Sequence, residues 1–308
     1  MNLCACRNHR LDLLILPMLV AICTIAVLPA EDQINPAQRG GGGDSTPSGG
    51  DHLPSYEMPA VVVPGRAKSE LREEDPIGGY SQPRWTARRR FGETRVYVVP
   101  EGDFEFEYWL VPEAPRHHGR HEIKTQYEAE MGLPYRFQLD IYLVSHQDGN
   151  DGAMAFDEQK FEGRWAIANW GVIPGNPTFY LEWAAINAEP DHLEGKLLLA
   201  DEFGTGWHWG VNFVLESQMG RHHELGHEVT LGLSKTIIDE RFSVGAEAKF
   251  AWVNDNTDRS HYVAETLVGP SIQFRPMRNM HINLTGLLGT TKFSPESKAV
   301  IVIGWEFS

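Results

Sequence analysis

Cysteine is nearly absent: the three that occur, Cys4, Cys6 and Cys23, all fall within the first thirty of 308 residues. Past them no disulfide can staple a fold in an oxidising compartment. Positive charge is scarce as well, with 27 Lys and Arg against 42 Asp and Glu for a net charge of −15, which excludes a basic nucleic-acid-binding protein. Apolar runs of membrane-helix length are missing beyond the N-terminus, and a mean hydropathy of −0.34 leaves no room for a helical membrane protein there. A β-barrel escapes that exclusion, because its alternating strands average out as polar. No pattern calls for a cofactor or a resident metal.

Residues 1–30 have the layout of a signal peptide. Arg7 and Arg10 precede an apolar stretch from Leu11 to Val27, followed by Leu28-Pro29-Ala30 and the acidic Glu31-Asp32. A transmembrane anchor is the alternative. A lipoprotein site is excluded because Ile22 stands before Cys23, where a small residue is required. Residues 31–90 then turn to Gly, Pro, Ser and charge, with Gly40-Gly41-Gly42-Gly43 and Ser45-Thr46-Pro47-Ser48-Gly49-Gly50. Such a composition buries too little apolar surface to offset its ordering entropy, so it reads as a disordered leader.

From residue 91 to 308 the chain alternates. Glu122-Ile123-Lys124-Thr125-Gln126-Tyr127-Glu128-Ala129-Glu130 sets its charges on one parity, Gly132-Leu133-Pro134 breaks the run, and Arg136-Phe137-Gln138-Leu139-Asp140-Ile141 resumes it. The same pattern predicts strands near 104–112, 121–131, 135–146, 157–169, 178–188, 192–203, 207–217, 223–236, 241–254, 260–275, 279–290 and 297–307. One face gathers residues such as Leu139, Phe161, Trp183, Phe213, Leu231, Ile272 and Ile303, and the other gathers Glu, Lys, Arg, Gln, Asn and Gly.

A soluble sandwich or soluble barrel also alternates. An export signal, long strands in even number, no later cysteine and aromatic residues near strand ends together favour an all-β, antiparallel, up-and-down transmembrane barrel of about twelve strands in the bacterial outer membrane, with lipid as its outer partner. The connections agree. Those after the second, sixth, eighth and tenth segments are tight, whereas 112–119, 147–155, 254–260 and 291–297 are longer, the rim asymmetry of such barrels.

Three segments carry resemblances. Ala299-Val300-Ile301-Val302-Ile303-Gly304-Trp305-Glu306-Phe307 resembles the terminal β-signal read by the barrel-assembly machinery, with Gly304, Trp305 and Phe307 as its key residues, although Ser308 follows the final aromatic. Arg95-Val96-Tyr97 and Pro100-Glu101-Gly102-Asp103-Phe104-Glu105-Phe106-Glu107-Tyr108-Trp109, with the hairpins that follow, resemble the opening of uncharacterised Gram-negative outer-membrane barrel families. Those families imply a location and a fold, and no agreed reaction. Glu57-Met58-Pro59-Ala60-Val61-Val62-Val63-Pro64-Gly65 looks like a TonB box, which implies a periplasmic TonB-like partner joined by strand addition, against the alternative of an extended linker.

Two motifs point to enzymes. His223-Glu224-Leu225-Gly226-His227 matches the H-E-x-x-H zinc-peptidase signature, but it opens an alternating run. On a strand the two His stand about 13 Å apart, too far to share one zinc. Ser145-His146, near Asp148 and Asn150, has the composition of a lipid-hydrolase site, yet neighbours on a strand face opposite ways. Neither supplies an assigned catalytic residue, and an outer-membrane lipid hydrolase stays as a third reading behind a pore and a sealed barrel.

Function is thus expected in the lumen, whose candidate lining includes Glu122, Lys124, Glu128, Glu130, Arg136, Asp140, Glu162, Arg164, Glu182, Lys196, Glu228, Glu247 and Lys249. Two readings stand open. One is a narrow passive pore whose surplus carboxylates favour small cations or polar solutes. The other is a non-conducting structural or binding barrel sealed by ion pairs across the lumen.

Overall fold

A computed structural model describes residues 72–116, 121–149, 152–220, 225–254 and 262–307. Twelve antiparallel strands form a closed barrel: β1 Phe104–Ala114, β2 Glu122–Leu133, β3 Phe137–Asp148, β4 Ala155–Ala166, β5 Thr178–Ile186, β6 His192–Phe203, β7 Trp207–Gln218, β8 Leu225–Ile238, β9 Phe242–Asn254, β10 Tyr262–Met277, β11 Met280–Gly289 and β12 Ser297–Phe307. Each strand pairs with the next in sequence, and β12 closes the ring on β1 through Ile303 opposite Tyr108 and Phe307 opposite Phe104. Closure removes every sheet edge, the condition for crossing a bilayer with strands.

Side-chain parity decides what each face meets. Along β7, His208, Gly210, Asn212 and Val214 are buried while Phe213 and Leu215 are exposed. Here the polar His208 and Asn212 point inside and the large apolar Phe213 and Leu215 outside, the reverse of a soluble core and the pattern lipid requires. Aromatic pairs stack across neighbouring strands on that outer face, Phe137 on Trp165 and Phe161 on Trp183 among them.

The rim that carries Phe104 and Phe307 has tight connections at 134–136, 204–206, 239–241 and 278–279. One connection there departs from the pattern: β4 ends at Ala166, and 167–177 forms a longer loop. The opposite rim bears the longer links throughout.

The described chain before β1, from residue 72, packs inside the barrel. A leader reaching residue 90 is expected from composition, but 72–90 are ordered here, with Trp85 and Phe91 buried in one apolar cluster with Tyr80, Val96, Tyr97 and Val98. Composition misleads at this point because the segment packs against a polar wall and needs few apolar residues of its own. Apart from a two-residue ladder, Pro76–Ile77 with Gln82–Pro83, and a single turn of 3-10 helix, Arg84–Ala87, it has no regular structure. The upstream portion, including the expected signal peptide at 1–30 and the TonB-box-like run 57–65, falls outside the described residues.

Candidate functional site

A segment without secondary structure must find partners for its buried backbone, and the barrel wall has already spent its own backbone groups on the ladder. Wall side chains supply them instead. Glu247 accepts from the N–H groups of both Gly92 and Glu93, at 2.9 and 2.7 Å, and from the Thr285 hydroxyl. Asn212 makes a reciprocal pair with the Arg95 backbone, its oxygen accepting at 2.7 Å and its amide donating at 2.8 Å. Gln138 accepts from Val99 N–H, and Asn283 donates to the Arg89 carbonyl. Residues 72–99 thus run in from the chain-end rim, turn at Gly92-Glu93, and return to β1 as a plug.

Charge complementarity fixes the plug further. Arg88 pairs with Glu240 and Glu306, both at 3.0 Å. Arg89 reaches Glu107, Glu128 and Glu130 at 2.7, 3.3 and 3.1 Å. Arg90 donates to Ser234, Gln273 and Glu73 and lies 2.9 Å from His208 Nδ1. Arg95 returns to Glu128 and Glu130 and donates to the Tyr142 hydroxyl at 2.8 Å. Consecutive arginines in an extended segment point different ways, so Arg88, Arg89 and Arg90 serve three separate parts of the wall.

Shape matters at one contact. A Cβ on Gly232 would lie 2.6 Å from the Phe91 ring, so the glycine opens the hollow that seats it. The 167–177 loop clamps the plug from the rim: Trp170 N–H donates to the Tyr80 carbonyl, the Tyr97 hydroxyl donates to the Ala168 carbonyl, and Trp170 meets Trp85 and Tyr97 edge-on.

Beyond the apex lies a second charged zone. Lys160 bridges Glu158 and Glu182, Lys196 pairs with Glu194, Lys249 with Glu228, and Lys298 with Glu93 of the plug at 2.7 Å. Burial opposes the charge on Glu93, but Lys298 and Lys249 outweigh it and hold the carboxyl at about 2.

The expected lumen residues are distributed as follows. Glu128, Glu130, Asp140, Glu162, Arg164, Glu182 and Glu247 are buried inside the barrel. Arg164 joins Asp140 at 2.9 Å and also pairs with Glu162. Lys124, Lys196, Glu228 and Lys249 belong to the second zone, Lys124 standing 3.8 Å from Glu158. Glu122 is exposed at the long-loop rim. Arg136 is not on the wall: it falls in the 134–136 turn with φ 65°, which re-aims it to donate to the Ala166 carbonyl and Asn169. Gly304 faces inward against the His281 ring, where a Cβ would lie 2.1 Å from Cε1, while Trp305 and Phe307 take the outward parity. The plug arginines and the wall residues Glu105, Glu107, His208, Gln273, His281 and Asn283 were missed. Arg88-Arg89-Arg90 was their one visible signal.

Among the described residues, Glu107, Glu128 and Glu130 come near enough to hold an ion, as do Glu128, Asp140 and Glu162, but arginines already fill both groups. The third group, Glu105, His281 and Glu306, borders Arg88 and Arg275. His227 lies within β8, opposite Leu215 and Trp252, while His223 and Glu224 fall outside the described residues. His146 pairs with Asp157 at 3.3 Å, and Ser145 takes the other parity.

No family model and no curated protein matches the sequence. Solved structures are similar in fold. The COG4313 outer membrane channel from Pseudomonas putida F1 is similar with a TM-score of 0.58 at 7% identity, over 71% of this chain and all of that one. The KdgM porin and the NanC porin each give 0.46, at 6% and 10% identity, over 66% and 67% of this chain and 99% of theirs. The fold is that of an outer-membrane barrel. At such identities the likeness extends to the fold alone.

Proposed function

We propose that the protein is a narrow outer-membrane channel for small cations or polar solutes, closed in this conformation by residues 72–99. The observation that carries the reading is the polar share of the wall behind the plug: buried Asn, Gln, Thr, Ser, His and carboxylates outnumber buried apolar wall residues such as Ala200 and Val214, where a permanent core would be mostly apolar. These groups lose little when water replaces the plug. The similar Pseudomonas putida protein is itself an outer membrane channel, which supports the same class.

Withdrawal would take Arg88, Arg89, Arg90 and Arg95 off the wall and leave its carboxylates in surplus. Solutes passing such a bore are cations and small polar molecules, attracted through electrostatic focusing. A periplasmic partner that adds a strand to 57–65 would pull on the chain leading into the plug, which gives that segment a role.

The second reading, a sealed structural or binding barrel, is favoured by how completely the plug's charges are paired. Reversal potentials across a salt gradient separate the two. A channel gives a cation-selective potential that shrinks as salt screens the wall over about 10 Å at 0.1 M; a sealed barrel gives no current, and an anion-selective potential contradicts both.

A further inference from the structure

Two guanidinium groups share one cage in the plugged lumen. Glu107, Glu128 and Glu130, each at most 3% exposed, converge on Arg89 and Arg95. The Arg89 guanidinium carbon lies 4.2 Å above the centre of the Trp109 ring and that of Arg95 5.5 Å from it. The Trp109 indole N–H donates to Glu107 at 3.0 Å, which holds ring and carboxylate together, and the Tyr142 hydroxyl accepts from Arg95. Carboxylates around the edge of a flat cation and an aromatic face beneath it are the two elements that recognise guanidinium and alkylammonium groups.

Every element of this cage belongs to the wall, on β1, β2 and β3, and both occupants belong to the plug. The wall would therefore keep the cage when the plug leaves. On the wall itself His281 stands 3.2 Å from Glu107 and Arg164 3.9 Å from Glu130, whereas the ion pairs of Glu128 are with Arg89 and Arg95 of the plug, so Glu128 is the carboxylate whose cations leave with the plug.

We infer that this carboxylate–tryptophan cage is a binding site for guanidinium or alkylammonium groups of solutes, which Arg89 and Arg95 occupy as built-in competitors while the barrel is closed. The inference rests on the channel reading, because a solute reaches the cage only after the plug moves. A ligand that binds the open form alone also shifts the population toward it, so such solutes favour their own passage.

The test is calorimetric titration of methylguanidinium chloride into the refolded full chain and into Arg89→Gln/Arg95→Gln, against sodium chloride at matched ionic strength. The double variant should bind methylguanidinium at least tenfold more tightly than the parent, with a change in Trp fluorescence. Adding Glu128→Gln should abolish the binding. Equal response to sodium, or no binding by a double variant that retains heat-modifiable migration, overturns the site. If the double variant does not refold, Arg95→Gln alone, which leaves Arg89 in place, should still show a severalfold gain over the parent, and its absence has the same force. Conductance of the same variant tests the other reading separately: binding without current leaves the site and removes the channel, whereas current without binding does the reverse.

Discussion

Phe91 of the plug occupies the space that a side chain at Gly232 of β8 would fill. The barrel wall is thus shaped to its plug, and a substitution at this one position tests that fit. Gly232→Val should cost about 1–3 kcal/mol through overpacking and push the segment out of its seat. Thermal unfolding in detergent, with trypsin cleavage after Arg88, Arg89 or Arg90 as the reporter, should show the loosened plug before the barrel melts.

Glu247 is the anchor at the apex. Glu247→Ala leaves the N–H groups of Gly92 and Glu93 buried without an acceptor, at about 1–3 kcal/mol each, whereas Glu247→Gln retains one acceptor oxygen. Plug protection against trypsin should therefore fall in the order parent, Gln, Ala. Equal protection in all three would show that the apex is not held through this side chain.

Opposite parities of β7 should fail in different ways. Phe213 faces outward, and Phe213→Arg should cost about 2–4 kcal/mol near mid-bilayer and lower the temperature of the heat-modifiable gel shift. Asn212 faces the plug, so Asn212→Ala should expose the arginines to trypsin while leaving that temperature nearly unchanged.

The strands were legible because a wall with lipid on one side and polar groups on the other imposes strict alternation, and β7 obeys it through Trp209, Val211 and Phe213. Arg136 was misplaced because alternation was carried through Leu133-Pro134 into a turn, where positive φ at Tyr135 and Arg136 breaks parity. The plug was illegible by periodicity, since its bonds run to side chains far off in sequence, such as Arg90 to Gln273. Charge balance held the clue: inward acids outnumber inward bases on the wall, and Arg88-Arg89-Arg90 are the cations that the wall lacks.

Glu93 links plug stability to pH. Its carboxyl is held at about 2, below its free value, so its pairing with Lys298 contributes fully above about pH 5 and is lost as pH falls toward 2. The difference in plug protection between the parent and Glu93→Gln should be constant at neutral pH and shrink on acidification, read by hydrogen exchange of residues 84–99. A difference that grew on acidification would mean that the plug site disfavours the ionised Glu93 carboxyl.

In the proposed channel, residues 72–99 close a lumen that fills with water once they leave. Single-channel recording of the refolded parent beside Arg88→Gln/Arg89→Gln/Arg95→Gln tests this closure most directly, with the gel shift showing that both barrels are folded. The parent should stay shut or open only briefly, and the variant should conduct steadily with cation preference. A folded variant as silent as the parent would mean that the barrel is sealed by something other than residues 72–99.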